Sequence, residues 1–202
     1  MSKGTAFIIS GPSGSGKDTI LKRVFERMPE IKFSISSITR PMREGEVNGG
    51  KYNFISVSEF EKMLHDDQLL EYNVYCGNYY GTPRKPVDEV TENGGEIIIE
   101  VDVNGAANIR KKLPDAVSVF IMPPSFEVLK NRLSGRGTET ADVLANRLGE
   151  ALNEIARAEE YDYIIVNDVL ETAVDDLICV IKSERYKKVK NLHLVNEVLS
   201  KC

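Results

Sequence analysis

The stretch Gly11-Pro12-Ser13-Gly14-Ser15-Gly16-Lys17-Asp18-Thr19 decides the reading of this chain. It follows the apolar run Ala6-Phe7-Ile8-Ile9-Ser10 and precedes a helix-like segment over residues 19–28. A strand that opens into a glycine-rich loop and then a helix is the layout of a phosphate cradle. Gly11, Gly14 and Gly16 let the backbone curl around Ser13 and Ser15 with its N–H groups inward, and the positive end of the following helix dipole adds to the attraction for phosphate oxygens. Lys17 stands where the lysine of such a loop spans the terminal phosphates of a nucleoside triphosphate. One position departs from the simplest pattern. The residue after the lysine should be Ser or Thr, whose hydroxyl reaches a magnesium ion; here it is Asp18, and Thr19 comes one step later. An aspartate so close to phosphates repels them unless a cation lies between. Asp18 is therefore either a magnesium ligand acting through water or a solvent-facing acid of the first helical turn, favoured by the helix dipole.

Working outward, 202 residues with 42% hydrophobic content suit one good core with small inserted lobes and are short for two full domains. A net charge of −5 argues against a nucleic-acid-binding face, which carries a basic excess. Cys76, Cys179 and Cys202 are odd in number and lack paired metal-ligand spacing, so neither a disulfide framework nor a zinc site is expected, and a reducing cytoplasm is the expected compartment. The N-terminal apolar run stops at the glycine loop, too short for a signal peptide or a membrane span, so no membrane partner is expected. His65 and His193 have no neighbouring nucleophile and read as helix-surface residues. Chemistry is left to Lys, Arg and carboxylates.

Strand-like runs over 6–10, 96–101, 117–122 and 163–166 each precede a helical pattern: 19–28, 105–113, 126–133, and a long one from 171 to about 188. Continuous Ile/Val strands between helices predict an α/β fold with a parallel sheet flanked by helices, and the glycine loop makes its core a P-loop core. Two segments break the rhythm. Residues 34–88, rich in Ser, Tyr, Asn and Gly, predict an inserted, mainly antiparallel β lobe with one short helix. Residues 126–159 predict helix, Gly-Arg-Gly turn, helix, with Arg132, Arg136 and Arg147 spaced along them as a mobile cover over phosphates. The expected plan is one domain over 1–202, with the core at 1–33, 89–125 and 160–202. Residues 191–202 show helical spacing at Leu192, Val195 and Leu199 and either pack on that core, the preferred expectation, or mediate self-association; oligomeric state stays open.

Within the β lobe, Ser36-Ser37-Ile38-Thr39-Arg40-Pro41-Met42-Arg43-Glu44-Gly45-Glu46 leads into Gly49-Gly50-Lys51-Tyr52-Asn53-Phe54, and Gly77-Asn78-Tyr79-Tyr80-Gly81-Thr82 follows. With the glycine loop and Gly135-Arg136-Gly137-Thr138-Glu139, in that order along nearly the whole chain, these segments resemble guanylate kinase. The resemblance implies a nucleoside-monophosphate lobe, an arginine-bearing lid and a place in purine nucleotide metabolism. The implied reaction is ATP plus GMP giving ADP plus GDP with magnesium, and the implied partners are those two small molecules. It also places Arg132 against the ATP base and Asn167 near the adenine or its ribose. Glu71, Ser36 and Thr82 become the readers of guanine, with Gly81 beside them. Glu100 and Asp102 become acidic residues at the GMP site, Asp102 facing GMP or the metal's water shell.

The residue chemistry agrees with that implication. Arg40 and Arg43 can present planar forks to a phosphate dianion while Tyr52 and Tyr80 add neutral donors. A carboxylate at Glu71 can accept both N–H groups of guanine, whereas adenine would set a lone pair against it. Lys17, Arg40, Arg136 and Arg147 would surround the moving phosphoryl group, whose charge is spread over its oxygens. Two rival readings stand beside this one: a guanylate-kinase-like module that binds phosphopeptides, and a related kinase acting on a sugar phosphate.

Overall fold

All six residues of β1 (Thr5–Ser10) are buried, which is why that strand reads as an unbroken apolar run rather than an alternation. Its side chains still alternate: Phe7 and Ile9 join one core cluster, Ala6 and Ile8 the other, on opposite faces of the sheet. The computed structural model describes residues 3–134 and 141–200. After β1 come α1 (Lys17–Arg27), the short β2 (Lys32–Phe33), β3 (Ser36–Ile38), β4 (Tyr52–Phe54), α2 (Val57–His65), β5 (Leu69–Tyr75) and β6 (Asn78–Pro83). The chain continues through α3 (Arg84–Glu92), β7 (Glu96–Glu100), α4 (Val103–Lys112), β8 (Val117–Met122), α5 (Phe126–Ser134) and α6 (Ala141–Ile155). A single turn of 3-10 helix at Ala158–Glu160 leads to β9 (Tyr163–Val166), α7 (Leu170–Arg185) and α8 (Lys188–Leu199).

Two sheets result. The larger has the order β2-β7-β1-β8-β9 and every pairing in it is parallel. One face packs against α1 and α7 through Ile20, Val24, Val174, Leu177 and Ile181, the other against α3 and α4 through Val87, Val103, Ala106 and Ile109. Each such fully buried aliphatic side chain contributes about 1.5 to 3 kcal/mol. The smaller sheet has the order β4-β3-β6-β5; β3 pairs antiparallel with β6 and β6 with β5, as expected, while β3 and β4 run parallel, joined by the long crossover loop over residues 39–51. Its root is tied to the larger sheet, since Leu70 of β5 is fully buried in the cluster that covers α4. A tight hairpin joins β5 to β6, with Cys76 and Gly77 at φ 48° and 73°. Phe60 of α2 stacks on Tyr79 at 5.0 Å, so Tyr79 is a packing residue.

Element boundaries moved where a cap decides them. The first helix begins at Lys17 because the Gly16 carbonyl already accepts the N–H groups of Thr19 and Ile20. Helix α4 begins at Val103 because Asp102 caps it, accepting the Gly105 N–H at 2.7 Å. The C-terminal expectation was wrong: α8 has no buried residue, and Leu192, Val195 and Leu199 are 44%, 53% and 67% exposed. The reason is that α7 already covers that face of the sheet, leaving no open core. Helix α8 is instead tethered at its start, by Asn191 Nδ2 to the carbonyls of Arg185 and Lys187 and by Lys190 Nζ to Thr5 Oγ1. His65 and His193 are exposed, Cys76 and Cys179 are free exposed thiols, and among the described residues no helix is long and apolar enough to cross a membrane.

Candidate functional site: a two-ended phosphate cleft

Strand β1 ends at the carboxyl edge of the sheet, where ligands bind in open α/β folds, and the glycine-rich loop leaves it there. The loop lines a cleft of about 760 Å³. Gly16 sits at φ 89°, and a Cβ there would come 2.3 Å from Asn167 Nδ2, so both backbone shape and crowding require glycine. Asn167 follows β9, is buried, and donates from Nδ2 to the Ser15 carbonyl at 2.7 Å. Arg132 of α5 donates from Nη2 to the Asn167 carbonyl at 2.9 Å, which makes the loop, β9 and α5 one braced unit. The hydroxyl of Ser15 is buried and has no hydrogen-bond partner among the described residues. Lys17 folds back along the loop and donates from Nζ to the Gly11 carbonyl at 2.6 Å. Burial pulls the Lys17 ammonium below the ordinary lysine range, opposed by the negative charges of Glu100, Glu154 and Asp18. From α6, Arg147 donates from Nη2 to Ser13 Oγ at 2.9 Å, and Glu154, two turns further along, lines the cleft facing Lys17.

Beside the loop stands an acidic pair. Glu100 closes β7, and its carboxyl is pushed up to about 7 by burial and by a hydrogen bond to the neighbouring Asp18 carboxylate. Below that value the pair carries one proton, which burial and the neighbouring Asp18 charge favour. Lys51, from the loop before β4, reaches Asp18 Oδ2 at 3.4 Å, which ties that loop to the start of α1. Asp18 itself is 72% exposed and lines the cleft, which joins the two alternatives left open for it: it faces solvent, and that solvent is the cleft. A pair of carboxylates held together by a proton is a donor set that a hard divalent cation fits in the proton's place. No group of three or more such side chains occurs among the described residues, so an ion held here would complete its shell with water and phosphate oxygens, as Mg²⁺ usually does.

The cleft continues into a second opening of about 400 Å³ against the smaller sheet, and Ser36, Tyr52, Glu100 and Asp102 line both. Glu71, Tyr80 and Gly81 line only the second. Glu71 Oε1 accepts from the buried Thr82 hydroxyl at 2.6 Å, so Thr82 is bonded to the carboxylate and lies behind it. The other oxygen rests over α4, where a Cβ on Gly105 would come 3.1 Å from it. Burial raises the Glu71 carboxyl above the ordinary range, and the Asp102 charge adds to the effect. At the rim, the Arg40 guanidinium lies 5.7 Å from the Tyr52 ring and 5.3 Å from the Phe54 ring. Arg43 is exposed beyond it.

The structure thus gathers the glycine loop, Asp18, Thr19, Arg132, Arg147 and Asn167 at one end and Ser36, Glu71, Tyr80, Glu100 and Asp102 at the other. Arg136 lies outside the described residues. The sequence reading missed Lys51 and Glu154. Glu154 was open to discovery, since it lies seven residues after Arg147 and therefore on the same face of one helix; nothing local marks Lys51.

A lysine-bearing glycine loop at the carboxyl end of the central strand, between parallel neighbours and ahead of a helix, defines a P-loop nucleotide-binding protein of the α/β class. The guanylate kinase family model matches residues 3–184. A guanylate kinase from Oceanobacillus iheyensis is 47% identical over 186 residues, covering 92% of this chain and 90% of that protein. One from Neisseria gonorrhoeae is 43% identical, covering 98% and 96%. Among solved structures, a guanylate kinase from Anaplasma phagocytophilum superimposes with a TM-score of 0.76 at 30% identity, covering 94% of this chain and 90% of that one. The chain belongs to the guanylate kinase family.

Proposed function

We infer that this protein is an ATP:GMP phosphotransferase, moving the terminal phosphoryl group of ATP to GMP to give ADP and GDP. One observation carries the reading beyond family membership: the glycine-loop cleft and the opening that contains Glu71 share one wall, so two nucleotides placed in them would meet phosphate to phosphate. In this reading the loop residues Gly11, Ser13 to Lys17 and Thr19 hold the ATP phosphates, with Arg132 and Asn167 flanking the adenosine. Ser36, Glu71, Gly81 and Thr82 read guanine, Thr82 by orienting the carboxylate that accepts the base N–H groups. Arg40, Arg43, Tyr52 and Tyr80 take the GMP phosphate.

Phosphoryl transfer asks the protein for alignment and for positive charge around the moving group. Lys17, Arg40, Arg147 and Arg136 supply that charge. Asp18 and Glu100 would hold Mg²⁺, with Asp102 near its water shell; the ion would neutralise phosphate charge during transfer. Burial of the Lys17 ammonium strengthens its pull on phosphate, because little water remains to screen it. We assign residues 34–88 as a GMP-binding lobe and 126–159 as a lid on a core made of the rest. Contacts from α6 to Ser13 support that lid assignment, since they close the helix pair over the loop. Membrane-independent work in the cytoplasm fits the free cysteines.

The test is ADP formation measured with GMP, AMP, dGMP and ribose phosphates as acceptors. GMP should be turned over far faster than AMP. A sugar phosphate used as well as GMP, or no transfer to any acceptor, would overturn the reading.

A further inference from the structure

Glu46 ends the arginine-bearing motif and has no part in the roles given above, yet its carboxylate is the centre of the clamp. Oε1 accepts from Arg40 Nη2 at 2.6 Å and Oε2 from Arg40 Nη1 at 2.6 Å, a two-pronged contact. The same Oε2 accepts the backbone N–H of Arg43 at 2.7 Å. In return the Glu46 N–H donates to the Arg43 carbonyl at 3.1 Å, closing the turn that Gly45 makes at φ 83°. One side chain therefore fixes the guanidinium of one clamp arginine and the backbone of the other. Because Arg40 also lies over the Tyr52 ring, three of the four residues assigned to the GMP phosphate hang on this carboxylate.

The contact uses only part of Arg40. A guanidinium has five N–H donors, arranged along an Nη1–Nη2 end and an Nε–Nη2 side. Glu46 fills the end, and the Pro41 carbonyl takes a further Nη1 hydrogen at 2.9 Å. Among the described residues no second carboxylate pairs with Arg40, whose side is left open, and the Tyr80 hydroxyl lies within hydrogen-bonding reach of the guanidinium. We propose that Glu46 is a positioning residue of the GMP-phosphate clamp: it grips Arg40 by its end and pins the Arg43 turn, so that the side edge of Arg40, Tyr80 and Arg43 are presented together to the phosphate. Glu46 does not touch the substrate. Its bond to Arg40 holds the Glu46 carboxyl down at about 2, so the grip persists throughout the range in which a phosphate monoester carries its second charge. The long Arg40 side chain pays its ordering entropy before GMP arrives, which is the physical content of a preorganised clamp.

This inference rests on the assignment of Arg40 and Arg43 to GMP, and the experiment separates the two. Wild type, Glu46→Gln and Glu46→Asp are compared for steady-state kinetics and for calorimetric binding of GMP and of guanosine, which has the base but no phosphate. In Glu46→Gln the KM and Kd for GMP should rise about 10- to 100-fold, as for a misplaced binding group, while guanosine affinity and the KM for ATP stay within about twofold. Glu46→Asp, one methylene shorter but still charged, should fall between, and it is the variant to read if the amide variant does not fold. Unchanged or tighter GMP binding, or equal losses for GMP and guanosine, would overturn the proposal while leaving the wild-type activity standing. A wild-type enzyme that does not phosphorylate GMP would remove both readings.

Discussion

In the proposed reading the loop after β1 holds phosphate with backbone groups anchored in a buried sheet, whereas the clamp on the smaller sheet depends on long side chains held by another side chain. The loop's shape is set by Gly16 and by the buried brace from Asn167 to Ser15. The clamp's shape is set by Glu46 on a turn of exposed residues. Backbone donors cost no side-chain entropy to order and cannot be mutated away; side-chain forks cost more to hold but can be tuned to one ligand. The difference suits the division of labour, since triphosphate binding is shared by many enzymes and acceptor choice is particular to one.

The contrast breaks most sharply at Lys17, the charged side chain that the glycine loop itself carries. Lys17→Ala should lower kcat by about 10²- to 10³-fold, in the range found when a single transition-state donor is removed, with little change in GMP affinity. Near-normal turnover would show that the loop alone suffices. At the other end, Glu71→Gln exchanges one acceptor oxygen for a donor without changing size. It should cost roughly 2 to 3 kcal/mol in kcat/KM for GMP and narrow the preference over AMP. Parallel kinetics with the two nucleotides read this out, and an unaltered preference would remove Glu71 from base recognition.

Smaller effects sharpen the picture of the brace and of the acidic pair. Asn167→Ala leaves the Ser15 carbonyl without its buried donor and should lower stability by about 1 to 2 kcal/mol in urea unfolding, with a higher KM for ATP and an unchanged KM for GMP. Glu100 supplies the pH test. Its folded carboxyl is pushed up to about 7 from the 4.5 usual for glutamate, so between those values the folded protein holds a proton that the unfolded chain releases. This group's contribution to stability therefore falls as pH rises through that window. Glu100→Gln should flatten the decline, and equal pH slopes in the two proteins would count against the shared proton.

Much of this was legible before any coordinates, for reasons that differ by element. The central strand, the glycine loop and the order of βα units follow from short-range patterns, since an apolar run closed by Gly11 and Lys17 admits few folds. The β5–β6 hairpin was visible as alternation, but its root in the core through Leu70 was not. The acidic pair was half visible: Asp18 was conspicuous as a departure from the usual Ser or Thr, yet its partner Glu100 lies far along the chain and is brought to it only by the pairing of β1 with β7. The Thr82 hydroxyl donates to Glu71, a partner that only the register of β5 against β6 sets and that no local pattern marks. Helix α8 misled because apolar spacing indicates a helix face without saying whether any surface remains for it to cover. Lys51 and Glu46 were read as spacing within a motif, because their partners are fixed by loop geometry rather than by local preference.

The two exposed thiols have a practical use. Cys76 sits at the tip of the hairpin on the smaller sheet, and Cys179 rides on α7 behind the larger one. With Cys202 replaced by serine, the chain would carry one dye-attachment point on each body. Fluorescence energy transfer between them would then report, molecule by molecule, whether the distance between the two sheets changes as each nucleotide arrives.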